Sequence, residues 1–375
     1  MVKTILSSSA SPSSGALLLK LSSFDSDERA AERLCAAHHL WKEEQNTLIP
    51  KIVLVYIDDE LKACCEIGKG YGSVKISGVP EAEPLAKPYL SLDDRAELMK
   101  DRIALVTGAA QGIGEEIVRN LAALGAFVYI ADINFEGAEK LADEINAEAA
   151  AKQNRQMAAI PLQVNLTNED SVKTMFDKVL ENTGGFDLLV SNAGVLKAGS
   201  VLDQELDDFK FVTDINYTAF FTVCKYGSRI LKAQNFTAPN WKTDIVQINS
   251  KSGLEGSNKN AAYAGSKFGS LGLVTSFALE LVEYNVKVNA ICPGNFLDGP
   301  LWSDLKNGLL VQYLKAGKVP GAKTVHDVRA AYEAKVPMGR GCTGKDLARA
   351  LLYLIEQEYE TGQALPVTGG QVMLH

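Results

Sequence analysis

The 375-residue sequence predicts an α/β fold: a doubly wound parallel sheet with helices on both faces, preceded by a small N-terminal α/β extension. Three observations predict it. Short apolar runs recur at 103–106, 127–131, 159–164, 187–191, 244–248 and 286–291, separated by segments long enough for crossover helices. The first run leads directly into a glycine-rich turn, 107–114, and then a helical stripe of Ile113, Ile117, Leu121 and Leu124. Upstream of all this, Pro80, Pro84 and Pro88 punctuate a polar stretch of the kind that connects units rather than packing within one.

These divisions give an extension over 1–79, a linker over 80–100 and a main domain over 101–375. In the extension, Ala30, Leu34, Ala37 and Trp41 share a face of a helix expected at about 27–44, and the apolar run 51–57 reads as a strand. Cys64 and Cys65 read as two small buried thiols on a helix rather than as a vicinal redox pair.

Composition excludes several function classes. A chain of this length with 46% hydrophobic and 22% charged residues buries a large core without disulfide or metal staples. Its net charge of −8 leaves no domain-wide positive field to recruit nucleic acid or anionic lipid. The six cysteines include no C-x-x-C pair, which fits reduced thiols in a cytoplasm. His38 and His39 are adjacent and point to different sides of a helix, so a metal site is not expected. The Ser-rich start lacks the continuous apolar core of a signal peptide, and no run approaches a membrane span.

The glycine turn carries the first chemistry. Gly108 permits a sharp turn after the strand, while Gly112 and Gly114 let a pyrophosphate approach the N–H groups at a helix N-terminus, with Gln111 and Ile113 alongside. The second strand ends in Asp132, whose carboxylate can accept from adenosine ribose hydroxyls and repels a 2′-phosphate. This is a Rossmann-type dinucleotide unit that favours NAD over NADP. Later strands end in Asn165-Leu166, in Ser191-Asn192-Ala193-Gly194 and in Asn249-Ser250, over the edge where such a ligand lies.

Tyr263 and Lys267, at i and i+4, share a helix face, so the ammonium is expected to lower the phenol's pKa and make Tyr263 a general base. Ser250 ends a strand, where its hydroxyl could bond a reacting oxygen as charge develops. That helix offers no His to make Ser250 a nucleophile.

Together TGAAQGIG, SNAG, Asn216 in DINYTAFF, Ser250 with YAGSK, and Pro293-Gly294 resemble the classical short-chain dehydrogenases/reductases over about 101–375. The resemblance implies catalytic Asn216, Ser250, Tyr263 and Lys267, with Lys267 also on the nicotinamide ribose and Asn216 holding a relay water. It also implies dinucleotide contacts by Gly108, Gln111, Gly112, Ile113, Gly114, Asp132, Asn165, Leu166, Asn192, Ala193, Gly194, Pro293 and Gly294. Four positions depart from the usual pattern: Ser191, Asn165, Asn249 and the Asn295-Phe296-Leu297 that follows Pro293-Gly294.

QINSKSG, KVPMGRGC and the ending TGQALPVTGGQVM further resemble the polyol-phosphate branch of the family, which oxidises sorbitol 6-phosphate to fructose 6-phosphate. The family resemblance implies a homotetramer, and the resemblance to this branch implies a small polyol phosphate as partner, whose phosphate needs a cation. Lys251, Lys259 and Arg340 are the candidates. The long segment from 295 to about 337 is expected to form a substrate lid. Competing readings are a 3-oxoacyl carrier-protein reductase, which would prefer NADPH, another polyol dehydrogenase, a dinucleotide-sensing module, and an interaction role for 1–100.

Overall fold

The structure, a computed structural model, describes residues 98–373 other than 101, 154, 156, 237, 239, 240, 307 and 316, and the backbone of strand residues 17–21, 52–57 and 60–66. Those three N-terminal strands, β1 (Leu17–Leu21), β2 (Ile52–Ile57) and β3 (Glu60–Glu66), form a sheet in that order. β1 runs parallel to β2, and β3 antiparallel to it.

The strand expected over 51–57 is therefore present as β2, but Cys64 and Cys65 lie in β3 and not on a helix. Only two residues separate β2 from β3, a spacing that favours a hairpin and leaves no room for a helix between them. The helix expected at 27–44 lies outside the described residues.

The main sheet has seven parallel strands in the order β10-β9-β8-β7-β4-β5-β6. They are β4 (Ile103–Thr107), β5 (Phe127–Asp132), β6 (Ala159–Gln163), β7 (Leu188–Ser191), β8 (Thr243–Ile248), β9 (Val286–Pro293) and β10 (Ala364–Val367). Six match the apolar runs of the sequence. The seventh, β10, was not expected: its four residues, ALPV, offer a run too short to stand out, and it pairs with β9 at the sheet edge.

Helices cover both faces. One carries α1 (Gly112–Ala123), α2 (Phe135–Gln153) and α10 (Gly344–Glu356), whose Ile117, Leu121, Leu141, Ile145, Leu347 and Leu351 cluster with Val106, Val128 and Val190. The other carries α3 (Glu169–Thr183), α5 (Ala219–Phe236) and α6 (Ala261–Leu281), with Phe176, Val223 and Val274 against Leu105, Tyr129 and Leu189. Neighbouring Leu105 and Val106 serve opposite faces because strand side chains alternate. Strands covered on both sides read as continuous apolar runs, which is why they were legible.

Between β8 and β9, Lys287 and Asp244 form a buried ion pair at 2.9 Å. The same ammonium donates to the Gln357 carbonyl at 2.9 Å, just past α10, where the negative end of the helix dipole favours a cation.

The segment after β9 folds as α7 (Pro300–Ser303), α8 (Leu309–Lys315) and α9 (Val325–Glu333). It has a core of its own, Leu297, Trp302, Leu309, Leu310, Tyr313 and Val328, separate from those of the sheet. Among the described residues no helix is long and apolar enough to cross a membrane.

Candidate active site

The carboxyl ends of β4, β5, β7, β8 and β9 open into one cleft of about 700 Å³. It lies where the strand order reverses between β4 and β7, the place at which open α/β sheets bind ligands.

The turn after β4 is shaped by its glycines. Gly108 has φ +61° and donates to the Ala131 carbonyl at 2.8 Å. A Cβ on it would come within 2.6 Å of Ala193 Cα, so both conformation and space require glycine. Gly112, with φ +64°, opens α1 and lines the cleft with Gly108, Gln111 and Ile113. Gly114 does not line it. A Cβ there would lie 2.3 Å from the Gly108 carbonyl oxygen and 2.6 Å from Asn192 Nδ2, so its role is close packing of the helix onto the turn.

Asn192 braces the same turn, donating from Nδ2 to the carbonyls of Gly108 at 2.7 Å and Thr107 at 3.1 Å. Asp132 faces the cleft at the end of β5, with Oδ2 accepting from Ala110 N at 3.0 Å and Oδ1 from Asn134 N at 2.9 Å. Each carboxylate oxygen keeps a lone pair for a further donor. Asn165, Leu166, Ala193, Gly194, Pro293 and Gly294 complete this lining. Asn165 Oδ1 accepts from the backbone and hydroxyl of Thr167, which fixes its orientation.

A glycine cradle at a helix N-terminus, with an acid at the next strand end, fits a dinucleotide with its pyrophosphate on α1. Bound there, such a cofactor supplies the hydride acceptor.

Ser250 follows β8 and turns into a short 3₁₀ segment, Lys251–Gly253, with its Oγ accepting from Ser252 N at 3.1 Å. Tyr263 stands in the first turn of α6 and Lys267 one turn later. All three line the cleft. The Ser250 side chain acts on the Tyr263 phenol, and the Lys267 ammonium lies 5.7 Å from the centre of that ring.

The phenol's pKa departs from the sequence expectation. Burial pushes Tyr263 up from its ordinary value, opposed by the Ser250 side chain, so the Lys267 ammonium beside the ring does not bring it down. The lysine donates instead to the Ile248 carbonyl at 3.0 Å, and burial pushes its own pKa down to about 8.

Asn216 lies outside the cleft lining, in a π turn, Asp214–Thr218, between α4 (Leu206–Thr213) and α5. Such bulges re-aim a side chain within a helix and recur at functional sites. Asn216 Oδ1 accepts from Val195 N at 2.8 Å, and Nδ2 donates to the Val195 carbonyl at 2.9 Å. It thus clamps the loop that follows Gly194.

The three cations proposed for a substrate phosphate do not gather. Lys251 lines the cleft but pairs with Glu255 at 3.3 Å. Lys259 is absent from the lining and has φ +56°. Arg340 grips Asp346 with two hydrogen bonds, 2.6 and 3.0 Å, beside a separate cavity of about 340 Å³. Its guanidinium is held by that carboxylate, and Arg340 does not line the cleft.

Sequence reasoning missed several cleft residues. Trp302, Tyr313, Lys318 and Tyr332 line it from the segment after β9, where no periodic pattern marks a position as facing inward. Asn249 also lines it. Its Nδ2 donates to Gln247 Oε1 at 2.8 Å, to the Lys267 carbonyl at 3.1 Å and to Ser270 Oγ at 3.2 Å, while its Oδ1 accepts from Ser250 N at 2.8 Å. The signal was present as a departure from the family pattern.

Residues 102–307 match the short chain dehydrogenase family. The chain belongs to that family. It is therefore an oxidoreductase of a family that binds nicotinamide dinucleotides. The chain is 36% identical over 276 residues to sorbitol-6-phosphate 2-dehydrogenase of Escherichia coli (strain K12), covering 73% of this chain and 99% of that one. It is 28% identical to a 3-oxoacyl-[acyl-carrier-protein] reductase of Aquifex aeolicus, covering 72% of this chain and 98% of the relative. Among solved structures, sorbitol-6-phosphate 2-dehydrogenase SrlD from Erwinia amylovora superposes with a TM-score of 0.65 at 36% identity, covering 72% of this chain and all of that one.

Proposed function

We propose that the protein oxidises a secondary alcohol of a sugar alcohol phosphate with NAD, sorbitol 6-phosphate to fructose 6-phosphate being the leading pair. The convergence of Ser250, Tyr263 and Lys267 in one cleft supports alcohol oxidation. The 36% identity to a sorbitol-6-phosphate 2-dehydrogenase over nearly its whole length supports the substrate class.

In this reading Ser250 holds the substrate oxygen by a hydrogen bond. Tyr263 takes the hydroxyl proton as the carbinol carbon gives its hydride to the nicotinamide, leaving a ketone. Lys267, with its pKa down to about 8, sits where an ammonium can stabilise the phenolate once Tyr263 ionises. Asn216 keeps the Val195 loop in place through both halves of its amide. Asp132 supports NAD, because a 2′-phosphate would meet its carboxylate. A chain truncated at the proposed linker is expected to retain this chemistry.

The test is dinucleotide reduction with sorbitol 6-phosphate, sorbitol and mannitol 6-phosphate in parallel. Selective turnover of sorbitol 6-phosphate supports the proposal. Turnover confined to unphosphorylated polyols keeps the mechanism and removes the phosphate. The 3-oxoacyl reductase reading rests on the 28% relative and predicts instead NADPH-dependent reduction of a 3-oxoacyl thioester.

A further inference from the structure

We infer that Lys318, with Lys335 on the neighbouring stacked ring, forms an anion subsite at the lid end of the cleft that takes the phosphoryl group of the substrate. The inference rests on the polyol phosphate reading above and names the residues that would make it selective.

The backbone fixes Lys318 in place. At the end of α8, Gly317 has φ +59° and donates to the Leu314 carbonyl at 3.1 Å, while Lys318 N donates to the Tyr313 carbonyl at 2.9 Å. This is a Schellman closure, and it sets the residue after the glycine rigidly against the last turn. The Lys318 ammonium then lies 3.8 Å from the centre of the Tyr313 ring. Tyr313 stacks on Tyr332 at 5.4 Å, and the Lys335 ammonium lies 4.4 Å from the Tyr332 ring. Two stacked rings thus each carry a cation, with Trp302 edge-on to both.

Tyr313 ties this group to the reacting centre. It lines the same cleft as the Tyr263 phenol and acts electrostatically on it. A substrate whose hydroxyl reaches Tyr263 can therefore extend past Tyr313 toward Lys318, both of which line the cleft.

The charges favour an anion there. Among the described residues neither Lys318 nor Lys335 has a carboxylate at ion-pair distance, unlike Lys251 with Glu255. Burial, then Lys335, then Lys259 push the Lys318 pKa down, so the ammonium groups oppose one another until an anion joins them. A phosphate monoester carries the two charges and the acceptor oxygens that relieve this.

The test uses the full chain and its Lys318→Met and Lys335→Met variants, checked for unchanged thermal unfolding. Inorganic phosphate is titrated calorimetrically at saturating NADH, which keeps the dinucleotide site filled, and kcat and KM are measured with NAD as hydride acceptor and sorbitol 6-phosphate or sorbitol as substrate. The expected result is that Lys318→Met weakens phosphate binding and raises KM for sorbitol 6-phosphate by about 30-fold, with kcat/KM for sorbitol within threefold of wild type. Lys335→Met gives a smaller loss in the same direction. Phosphate affinity and KM within twofold of wild type in Lys318→Met overturn the subsite, whatever the substrate. Lys318-dependent phosphate binding without turnover of any polyol phosphate upholds the subsite and overturns the proposed substrate.

Discussion

Asn249 joins Ser250 to Lys267: its Oδ1 accepts from Ser250 N at 2.8 Å while its Nδ2 donates to the Lys267 carbonyl at 3.1 Å. The end of β8 and the helix that carries the tyrosine are thereby set at a fixed separation. Gly253 leaves room for this, since a Cβ there would lie 2.2 Å from Asn249 Oδ1. Asn249→Ala strips several buried groups of partners and is expected to cost about 2–3 kcal/mol of stability. Its kcat should fall more than its KM rises, because Ser250 loses its position. Urea unfolding with steady-state kinetics checks both.

Asp132 governs the choice of dinucleotide in this account. Asp132→Ala removes the carboxylate that opposes a 2′-phosphate, and also the acceptors of Ala110 N and Asn134 N. The ratio of kcat/KM for NAD to that for NADP should drop by at least about tenfold, the equivalent of roughly 1.4 kcal/mol. An unchanged ratio would assign cofactor choice to other residues.

The buried Lys267 gives stability an unusual pH dependence. Its folded pKa is down to about 8 from an ordinary 10.5. Below pH 8 folded and unfolded chains both hold the proton, so the cost of burying the charge is fully present. Between pH 8 and 10.5 the folded chain loses its proton first, so this group's contribution to stability rises with pH. Lys267→Met removes the effect: its stability relative to wild type should decline by roughly 3 kcal/mol from pH 7 to pH 10.5. Paired denaturant melts across that range measure it.

Lys287 offers a test of the frame rather than the chemistry. Lys287→Met removes the ammonium that pairs with the buried Asp244 between β8 and β9, and a loss of about 3–5 kcal/mol is expected. Replacing both, as Lys287→Met with Asp244→Leu, should recover much of it. A double variant as unstable as the single one would show that the pair itself contributes the stability.

Much of this was legible in the residues. The six strands were, because burial on both faces writes them as apolar runs, and so was the glycine turn, because Gly108 is required by φ and by Ala193 together. Other features depend on contacts distant in sequence. Nothing near Gly114 shows that it packs against Asn192. Arg340 looked available until Asp346 was folded against it by the capping box that starts α10. Lys318 could not be singled out from other lysines, since its position follows from the Schellman turn after α8 and from the stacked tyrosines. The lowered Tyr263 pKa expected from the i, i+4 spacing overlooked burial, which acts on both partners.

The central claim is that Tyr263 takes the proton in oxidation of a polyol phosphate. The most direct measurement is a single turnover of wild type and Tyr263→Phe with NAD and sorbitol 6-phosphate, following NADH absorbance and fructose 6-phosphate together. The account predicts equal amounts of both products from wild type, and a rate at least about 10²-fold slower in Tyr263→Phe with NADH binding retained. Equal rates in the two proteins, or NADH formed without the ketose phosphate, would contradict it.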